Sequence, residues 1–234
     1  MNKSNLAQNL RCLLDQRYRR AYRSLRHLPC VDYQFVIDGG ASRGSFSDAF
    51  LQLHRPKKLV LVEAIPGLAE KLNRRLQGHA AISVVAAALA EKSGEAEFGV
   101  NEYDCSSSLL KIDPRNSEWF GQNLRLAQTI RVPTLSLPDL MRREHLERVD
   151  LLKLDLQGAE RLVFTGGESV LGRIQVIFSE VLFEPLYEGC WLFWDVQKFL
   201  CGRGFKLCSL SNIVHATTGD LLQANAIYRR IEPA

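Results

Sequence analysis

The chain has 234 residues and a mass of 26.4 kDa, which suits one α/β domain with a sizeable core. Hydrophobic residues make up 46% of it and charged residues 24%, an ordinary globular composition that excludes wholesale disorder. The formal net charge of +4 is too small to indicate a nucleic-acid partner by itself.

The sequence has no apolar run long enough to span a membrane, and its first residues lack the apolar stretch of a signal peptide. Its cysteines are scattered without a C-x-x-C pair, which argues against a zinc or redox motif and suits reduced thiols. They are Cys12, Cys30, Cys105, Cys190, Cys201 and Cys208. We therefore expect a soluble cytoplasmic protein, and one without a metal, because no metal-ligand spacing is present.

Residues 1–30 are predicted to form an appended basic, amphipathic helix. Leucines recur at three- and four-residue steps, the spacing of one helix face: Leu6, Leu10, Leu13 and Leu14. Arginines crowd its second half: Arg17, Arg19, Arg20, Arg23 and Arg26. Such a helix can make weak contact with an anionic membrane surface or bind an acidic partner. We favour a solvated face on a helix packed over the main domain, because the apolar stripe is narrow.

Residues 31–234 are predicted to form the main domain, in which apolar runs alternate with amphipathic helices. Strands are predicted at 33–38, 57–64, 81–89, 149–155 and 174–181, and again at 205–210 and 224–230 on either side of a loop. Helices are predicted at 45–54, 67–77, 136–145 and 193–204. This alternation predicts a parallel sheet with helices on both faces. Residues 95–101 and 128–135 are predicted to be extended, and the polar residues 101–123 form a long loop of the kind that often carries function.

The first strand ends in the stretch VIDGGASRG, which has the small residues of a nucleotide-binding turn: Asp38, Gly39, Gly40, Ala41 and Gly44. Small residues let the backbone approach a ligand where a helix begins. Compared with the dinucleotide motif G-x-G-x-x-G, Ala41 replaces the glycine that lets a pyrophosphate come close. Asp38 would repel a diphosphate but attract a cationic amino group. S-adenosylmethionine has that group and no phosphate, so the charge pattern favours it over NAD.

An acid also ends the second predicted strand. Glu63 can accept hydrogen bonds from both ribose hydroxyls of a nucleoside, a feature that fits NAD equally well. We assign Ala64, which follows it, and Ala87, near the end of the third strand, to the same cofactor site. The simpler alternative is that Asp38 and Glu63 are solvated strand ends. Because both lie at one predicted sheet edge, we favour the binding site.

The stretch VDLLKLDLQGAERLVFTGG carries the second signal. Lys153 falls inside an apolar run, where an unpaired ammonium group is costly to bury. Strand alternation places Lys153 and Asp155 on one face, with Glu180 at the end of the next strand. Glu160 follows within one helical turn. Ligands of open α/β sheets bind at this carboxyl edge. For Lys153 itself, we favour a structural ion pair over catalysis.

These segments resemble the FkbM family of S-adenosylmethionine-dependent methyltransferases from about Phe35 through Glu180. The most specific part is a K-x-D-x-[QE]-G-x-E pattern, here Lys153, Asp155, Gln157, Gly158 and Glu160. The resemblance implies a class I, Rossmann-like fold: a central, mostly parallel seven-stranded sheet ending in an antiparallel hairpin. It also implies S-adenosyl-L-methionine as cofactor. The chain departs from the family's D-V-G-A-N-x-G turn at Gly39 and Ser42.

Known members of that family mostly methylate hydroxyls of sugars or polyketide-type natural products. The resemblance therefore implies an O-methyltransferase with a sugar, glycan or secondary-metabolite acceptor. A base would help, because an alcohol is a poor nucleophile at neutral pH. Asp155 and Glu180 are the candidate bases, Asp155 alternatively holding the cofactor's amino group, and His215 in the predicted hairpin loop is a weaker candidate. The residues expected to meet the acceptor are Ser107, Ser108, Glu160, Tyr187 and Trp191.

Two other functions stay open. One is methyl transfer to nitrogen or to RNA, which would call for an Asn/Asp-Pro-Pro-aromatic tetrapeptide or a surface of interleaved basic and aromatic residues. The chain has DLQG in place of that tetrapeptide, and only its first helix is basic. The other is a nucleoside-binding or NAD-binding module without methyl transfer, against which Asp38 and Ala41 argue.

Overall fold

The computed structural model describes residues 15–116 and 125–231. Its strands are β1 (Phe35–Gly39), β2 (Lys58–Glu63), β3 (Ile82–Ala86), β4 (Ala88–Leu89), β5 (Gly94–Asn101), β6 (Leu126–Leu135), β7 (Val149–Leu154), β8 (Ile174–Leu182), β9 (Phe205–His215) and β10 (Leu221–Arg230). Its α-helices are α1 (Gln16–Leu25), α2 (Ser45–Leu53), α3 (Pro66–Leu76), α4 (Leu137–Arg143), α5 (Glu160–Gly166) and α6 (Phe193–Cys201). None of these helices is long and apolar enough to cross a membrane.

Seven strands form the central sheet in the order β3-β2-β1-β7-β8-β10-β9. The first five of these pair in parallel, and β10 runs antiparallel to both β8 and β9. A parallel sheet needs cover on both faces, which is why its strands are predominantly apolar. The order and the antiparallel hairpin confirm the class I methyltransferase fold expected from the sequence.

The helices cover the two faces of this sheet in separate groups. Helices α4, α5 and α6 pack on one face, where Leu140, Phe164 and Leu200 are fully buried. Helices α1, α2 and α3 pack on the other, where Phe50 and Leu72 are buried. The apolar stripes predicted for these helices therefore face the sheet, and the predicted two-sided cover is confirmed.

The third strand is predicted over residues 81–89, but in the structure it is divided. Strand β3 ends at Ala86, and the following residues leave the central sheet. Strand β2 ends at Glu63, whose partner in β3 is Ala86, so the pairing stops there. Ala88 and Leu89 instead pair with the end of β6, and β5 pairs with β6 on its other side, which gives a separate three-stranded sheet. The sequence did not reveal the break because Ala88 and Leu89 are still buried after it, so the apolar pattern continues without a change.

The loop predicted between the strands at 205–210 and 224–230 is shorter than expected, because it spans only residues 216–220. Strand β9 continues to His215, because its pairing with β10 persists through Val214 and His215 despite register shifts. At the other end of the chain, helix α1 covers part of the helix predicted over residues 1–30, and Tyr18 and Leu25 bury its apolar side. The leucines at positions 6 to 14 lie outside the described residues.

A buried carboxylate holds the amino-terminal ends of the two central strands, β1 and β7, together. Asp150, 2% exposed at the start of β7, accepts hydrogen bonds from the backbone amides of Gln34 and Phe35, both 2.8 Å away. These bonds hold the first residue of β1 beside β7, and so they support the register of the two central strands. The Asp150 carboxylate thus accepts the amide hydrogen bonds that a neighbouring strand would otherwise accept.

Replacing Asp150 by alanine should lower the free energy of unfolding by about 2 to 4 kcal/mol, because two amides lose their acceptor. Urea unfolding followed by circular dichroism measures this change. The matched control is the exposed Glu147→Ala, for which we expect a change within about 0.5 kcal/mol. Equal effects of the two substitutions would contradict the anchoring role of Asp150.

Candidate active site

A cleft of about 660 Å³ opens at the carboxyl ends of the parallel strands. Open α/β sheets bind ligands at this edge, where the loops leave the strands on either side. Ten of the predicted site residues line the cleft: Gly40, Ala41, Glu63, Ala64, Ala87, Ser107, Lys153, Asp155, Glu180 and Tyr187. The fold therefore brings together predictions that lie up to 147 positions apart, between Gly40 and Tyr187.

Seven predicted site residues do not line the cleft: Asp38, Gly39, Gly44, Ser108, Glu160, Trp191 and His215. Trp191 packs against Phe199, with ring centroids 5.0 Å apart, and so it contributes to the packing of helix α6. His215 is exposed at the end of β9. Ser108 donates from its hydroxyl to the carbonyl of Leu156, which ties the polar loop to the end of β7.

Asp38 is fully buried, and its carboxylate is paired inside the protein. Its Oδ1 lies 2.9 Å from Nζ of Lys153, and its Oδ2 accepts a hydrogen bond from Oγ of Ser47 at 2.6 Å. The expectation that Asp38 attracts a cofactor's amino group is therefore corrected, because a buried lysine already neutralises it. The structural ion pair favoured for Lys153 is what the structure contains.

Lys153 is only 5% exposed and also donates to the carbonyls of Gly39 and Gly40, at 3.2 and 2.8 Å. Burial by itself lowers the pKa of Lys153, but the negative charges of Asp38 and Asp155 outweigh burial and raise the pKa above its usual value. The ammonium group therefore stays charged. It binds the end of β1 to β7 and fixes the turn that follows β1.

Gly40 is required by this turn. Its φ is +73°, and a Cβ there would lie 2.0 Å from the carbonyl oxygen of Asp155. Gly158 has the same role further along, since its φ is +87° and a Cβ would lie 2.9 Å from the ring of Tyr187. These glycines let the chain segments that carry the cleft's acids approach one another.

Glu63 lies at the end of β2 and is held by two backbone amides. Its Oε2 accepts from Ser42 N at 2.7 Å, and its Oε1 accepts from Ile65 N at 2.8 Å. Burial raises the pKa of Glu63, and these two hydrogen bonds act in the opposite direction. The carboxylate is thus oriented at the wall of the cleft, and each oxygen keeps a lone pair for a ligand's hydroxyl.

A hydrogen-bonded network joins the two acids predicted as bases. Gln157 donates from Nε2 to Asp155 Oδ1 at 2.7 Å and to Glu180 Oε2 at 2.9 Å, while Gln223 donates to Glu180 Oε1 at 2.9 Å. The hydroxyl of Tyr187 lies 3.0 Å from Gln157 Oε1. Gln157 reaches this position with a φ of +55°, which is unusual for a residue other than glycine.

Glu180 is a buried carboxylate of the cleft with a strongly perturbed environment. Its side chain is 7% exposed, and burial raises its pKa well above the usual value, with the charges of Asp155 and Glu160 adding to the effect. Glu160, which accepts from Leu156 N at 2.6 Å, is buried behind the cleft at the start of α5, and burial raises its pKa to about 7. Perturbed carboxylates of this kind mark functional sites.

Several polar residues that line the cleft were not predicted from the sequence: Arg17 and Arg20 of α1, Asn212 of β9, Gln157, and Gln223 and Asn225 of β10. A signal for the last two was present, because polar residues at a spacing of two in an apolar strand indicate one polar face. Gln157 belongs to the most specific motif but was given no role.

The sheet order, the terminal hairpin and a cleft at the carboxyl edge define a protein with the fold of class I methyltransferases. Residues 38–207 match the family profile described as the Methyltransferase FkbM domain. That match spans well over half of the chain, which therefore belongs to the FkbM methyltransferase family.

Among known proteins, the chain is 29% identical over 161 residues to the 2-O-methyltransferase NoeI of Sinorhizobium fredii. The alignment covers 66% of this chain and 65% of NoeI, slightly less than two thirds of that relative's length.

Two solved structures share the fold. The methyltransferase FkbM from Methylobacillus flagellatus has a TM-score of 0.53 and 12% identity, over 86% of this chain and 44% of the other. Sp1610 of Streptococcus pneumoniae, solved in complex with S-adenosyl-L-methionine, has a TM-score of 0.51 and 10% identity, over 94% of this chain and 75% of the other. At such identities the similarity establishes the fold.

The Asp38–Lys153 pair can be tested through stability. We expect Lys153→Met or Asp38→Asn alone to lower the free energy of unfolding by about 3 to 5 kcal/mol, because each leaves a buried group without its partner. The double variant should recover much of that loss. Chemical unfolding of the four proteins gives the coupling energy directly.

Lys58→Met is the matched control, because it breaks a more exposed ion pair with Glu144 whose lysine side chain is 31% exposed. We expect it to cost about 1 kcal/mol or less. Additive losses at positions 38 and 153 would show that the two side chains do not act as a pair.

Proposed function

We propose that this protein is an S-adenosylmethionine-dependent O-methyltransferase that methylates a hydroxyl of a sugar, glycan or secondary-metabolite acceptor. One observation carries the proposal: a single cleft contains Glu63 at one strand end and the Asp155–Gln157–Glu180 network at two others. The family assignment supports methyl transfer, and the name of NoeI supports transfer to oxygen. The cytoplasmic location, the lack of a metal and the division near residue 30 stay predictions.

The lining of the cleft fits the proposed cofactor. Glu63 would accept from the ribose hydroxyls, with Ala64 and Ala87 forming apolar wall beside the base. Asp155 takes the place first assigned to Asp38 and would hold the cationic amino group. The methyl group of Ala41 lies where NAD-binding turns need a glycine, which disfavours a pyrophosphate. When bound, S-adenosylmethionine would supply a methyl group whose carbon the acceptor's oxygen attacks, with S-adenosylhomocysteine leaving as the carbon–sulfur bond breaks.

Glu180 is the residue we assign as general base. A carboxylate with a raised pKa is a better proton acceptor near neutral pH than an ordinary glutamate. Two carboxamides, from Gln157 and Gln223, hold its oxygens in place. Glu180 accepts the proton of the acceptor's hydroxyl as the new bond to carbon forms. The burial of Glu180 also keeps bulk water away from this step.

The cofactor site is tested by calorimetric titration with S-adenosylhomocysteine, and with NAD in parallel. We expect micromolar binding of the first and none of the second. Glu63→Ala should weaken binding by about 10- to 100-fold, because a charged acceptor of the ribose hydroxyls is lost. The control is Glu70→Ala, an exposed glutamate on α3, which should leave the affinity unchanged. Binding of NAD in place of S-adenosylhomocysteine would refute this site, as would an unchanged affinity for S-adenosylhomocysteine in Glu63→Ala.

The base is tested by Glu180→Gln. We expect kcat to fall by about 10²- to 10⁴-fold while S-adenosylhomocysteine still binds, because proton removal is lost but the cofactor site is intact. In the wild type, kcat/KM should decline as the pH falls through the raised pKa of Glu180, since the protonated form accepts no proton. Asp155→Asn should mainly weaken cofactor binding. If Asp155→Asn instead lowered kcat and Glu180→Gln mainly weakened cofactor binding, Asp155 would be the base.

A further inference from the structure

Helix α1 presents two arginines to the same cleft. Arg17, Arg20 and Ala21 all line it, and their spacing of three and four residues places them on one face of the helix. Arg17, Arg19, Arg20 and Arg23 are all exposed, but Arg19 and Arg23 do not line the cleft. The basic helix thus has two distinct sets of arginines, one facing the site and one facing away from it.

The helix is held firmly enough to aim those side chains. Asp15 caps its first turn by accepting from Arg17 N at 2.8 Å, and the same carboxylate accepts from Ser45 Oγ of α2 at 3.1 Å. Near its other end, Ser211 Oγ of β9 donates to Ser24 Oγ at 2.9 Å. Between these ties, Tyr18 is buried against the core. The backbone of α1 is therefore a fixed support for Arg17 and Arg20.

The charges in the cleft are unevenly arranged. Among the described lining residues, the cations are Arg17, Arg20, Arg43 and Lys153, and Lys153 is committed to Asp38. The acids Glu63, Asp155 and Glu180 occupy the strand ends. A ligand that fills the cleft would therefore meet carboxylates at the strand ends and guanidinium groups at helix α1.

The position of Arg17 associates α1 with the catalytic end of the cleft. Its Nη2 lies 3.7 Å from Sγ of Cys105, in the polar loop that also contains Ser106. The carbonyl of Ser106 lies 3.0 Å from the hydroxyl of Tyr187, which contacts Gln157 and through it Glu180. The loop thus connects Arg17 to the network that contains the proposed base.

We propose that the acceptor of this enzyme carries an anionic group, a carboxylate, phosphate or sulfate, which Arg17 and Arg20 bind so that the acceptor's hydroxyl meets Glu180. This inference rests on the proposed function and narrows its substrate class. Arginine forks form strong, oriented hydrogen bonds with such planar or tetrahedral anions. An anion held at α1 also stays away from the carboxylates at the strand ends, which would repel it.

The test is a binding comparison on the protein saturated with S-adenosylhomocysteine. The probes are matched pairs: methyl glucoside against its 6-phosphate, its 6-sulfate and methyl glucuronide, and 4-hydroxybenzyl alcohol against 4-hydroxybenzoate. We expect an anionic member to bind roughly 10- to 100-fold more tightly than its neutral twin. The preference should decrease with salt. Transfer of labelled methyl groups to the same pairs gives the corresponding selectivity in kcat/KM.

Two double variants with equal loss of charge separate the arginine sets. Arg17→Ala/Arg20→Ala should abolish the anionic preference, Arg17→Lys/Arg20→Lys should restore part of it, and Arg19→Ala/Arg23→Ala should leave it intact. Binding of S-adenosylhomocysteine, measured first on every variant, tests the proposed function separately. Loss of that binding in Arg17→Ala/Arg20→Ala would assign the arginines to the cofactor's carboxylate and overturn the proposal.

Equal affinity for both members of every pair would also overturn it, as would failure of every probe to bind. A membrane role is the remaining competitor. This competitor is tested by co-sedimentation with phosphatidylglycerol vesicles, with phosphatidylcholine vesicles as the control. If the wild type binds only the phosphatidylglycerol vesicles, loses that binding in Arg17→Ala/Arg20→Ala and shows no preference for anionic acceptors, the arginines are assigned to a lipid surface instead.

Discussion

The buried pair of Lys153 and Asp38 is the interaction on which the rest of the site depends. It joins β7 to β1 at the carboxyl edge, and the same ammonium group binds the carbonyls of Gly39 and Gly40. Because these carbonyls are held, the turn after β1 lies directly against the backbone of Asp155. An ion pair in this position contributes little net stability, but loss of either partner would be costly. Its effect is to fix the geometry of the turn.

From that fixed edge the polar network extends across the cleft. Gln157 connects Asp155 to Glu180, and Tyr187 and Gln223 complete the contacts. These donors have acceptors in a part of the cleft that is largely shielded from water. A buried polar group without a hydrogen-bond partner there would lower the stability of the fold. The same exclusion of water raises the pKa of Glu180. The ordered network and the raised pKa of Glu180 therefore have one physical origin, the burial of carboxylates beside fixed donors.

Sequence reasoning succeeded where a pattern has one structural meaning. The runs ending at Gly39, Glu63 and Leu154 are predominantly apolar, and all three are parallel strands of the sheet. It failed where an apolar run continues past the point at which the strand pairing changes, as at Ala88 and Leu89, which are buried although they have left the central sheet. It also misassigned Asp38, because no local pattern shows that a lysine 115 positions later lies within 2.9 Å.

The sequence by itself determined the class of fold, the family and the carboxyl edge as the place of the site, since these follow from local periodicity and from contiguous motifs. Tertiary structure alone decided which acids face the cleft and which are neutralised behind it. It also decided that the basic helix contributes Arg17 and Arg20 to the cleft. These outcomes depend on distances between residues far apart in the chain, and on the desolvation that follows from packing. Neither quantity is encoded in any short stretch of sequence.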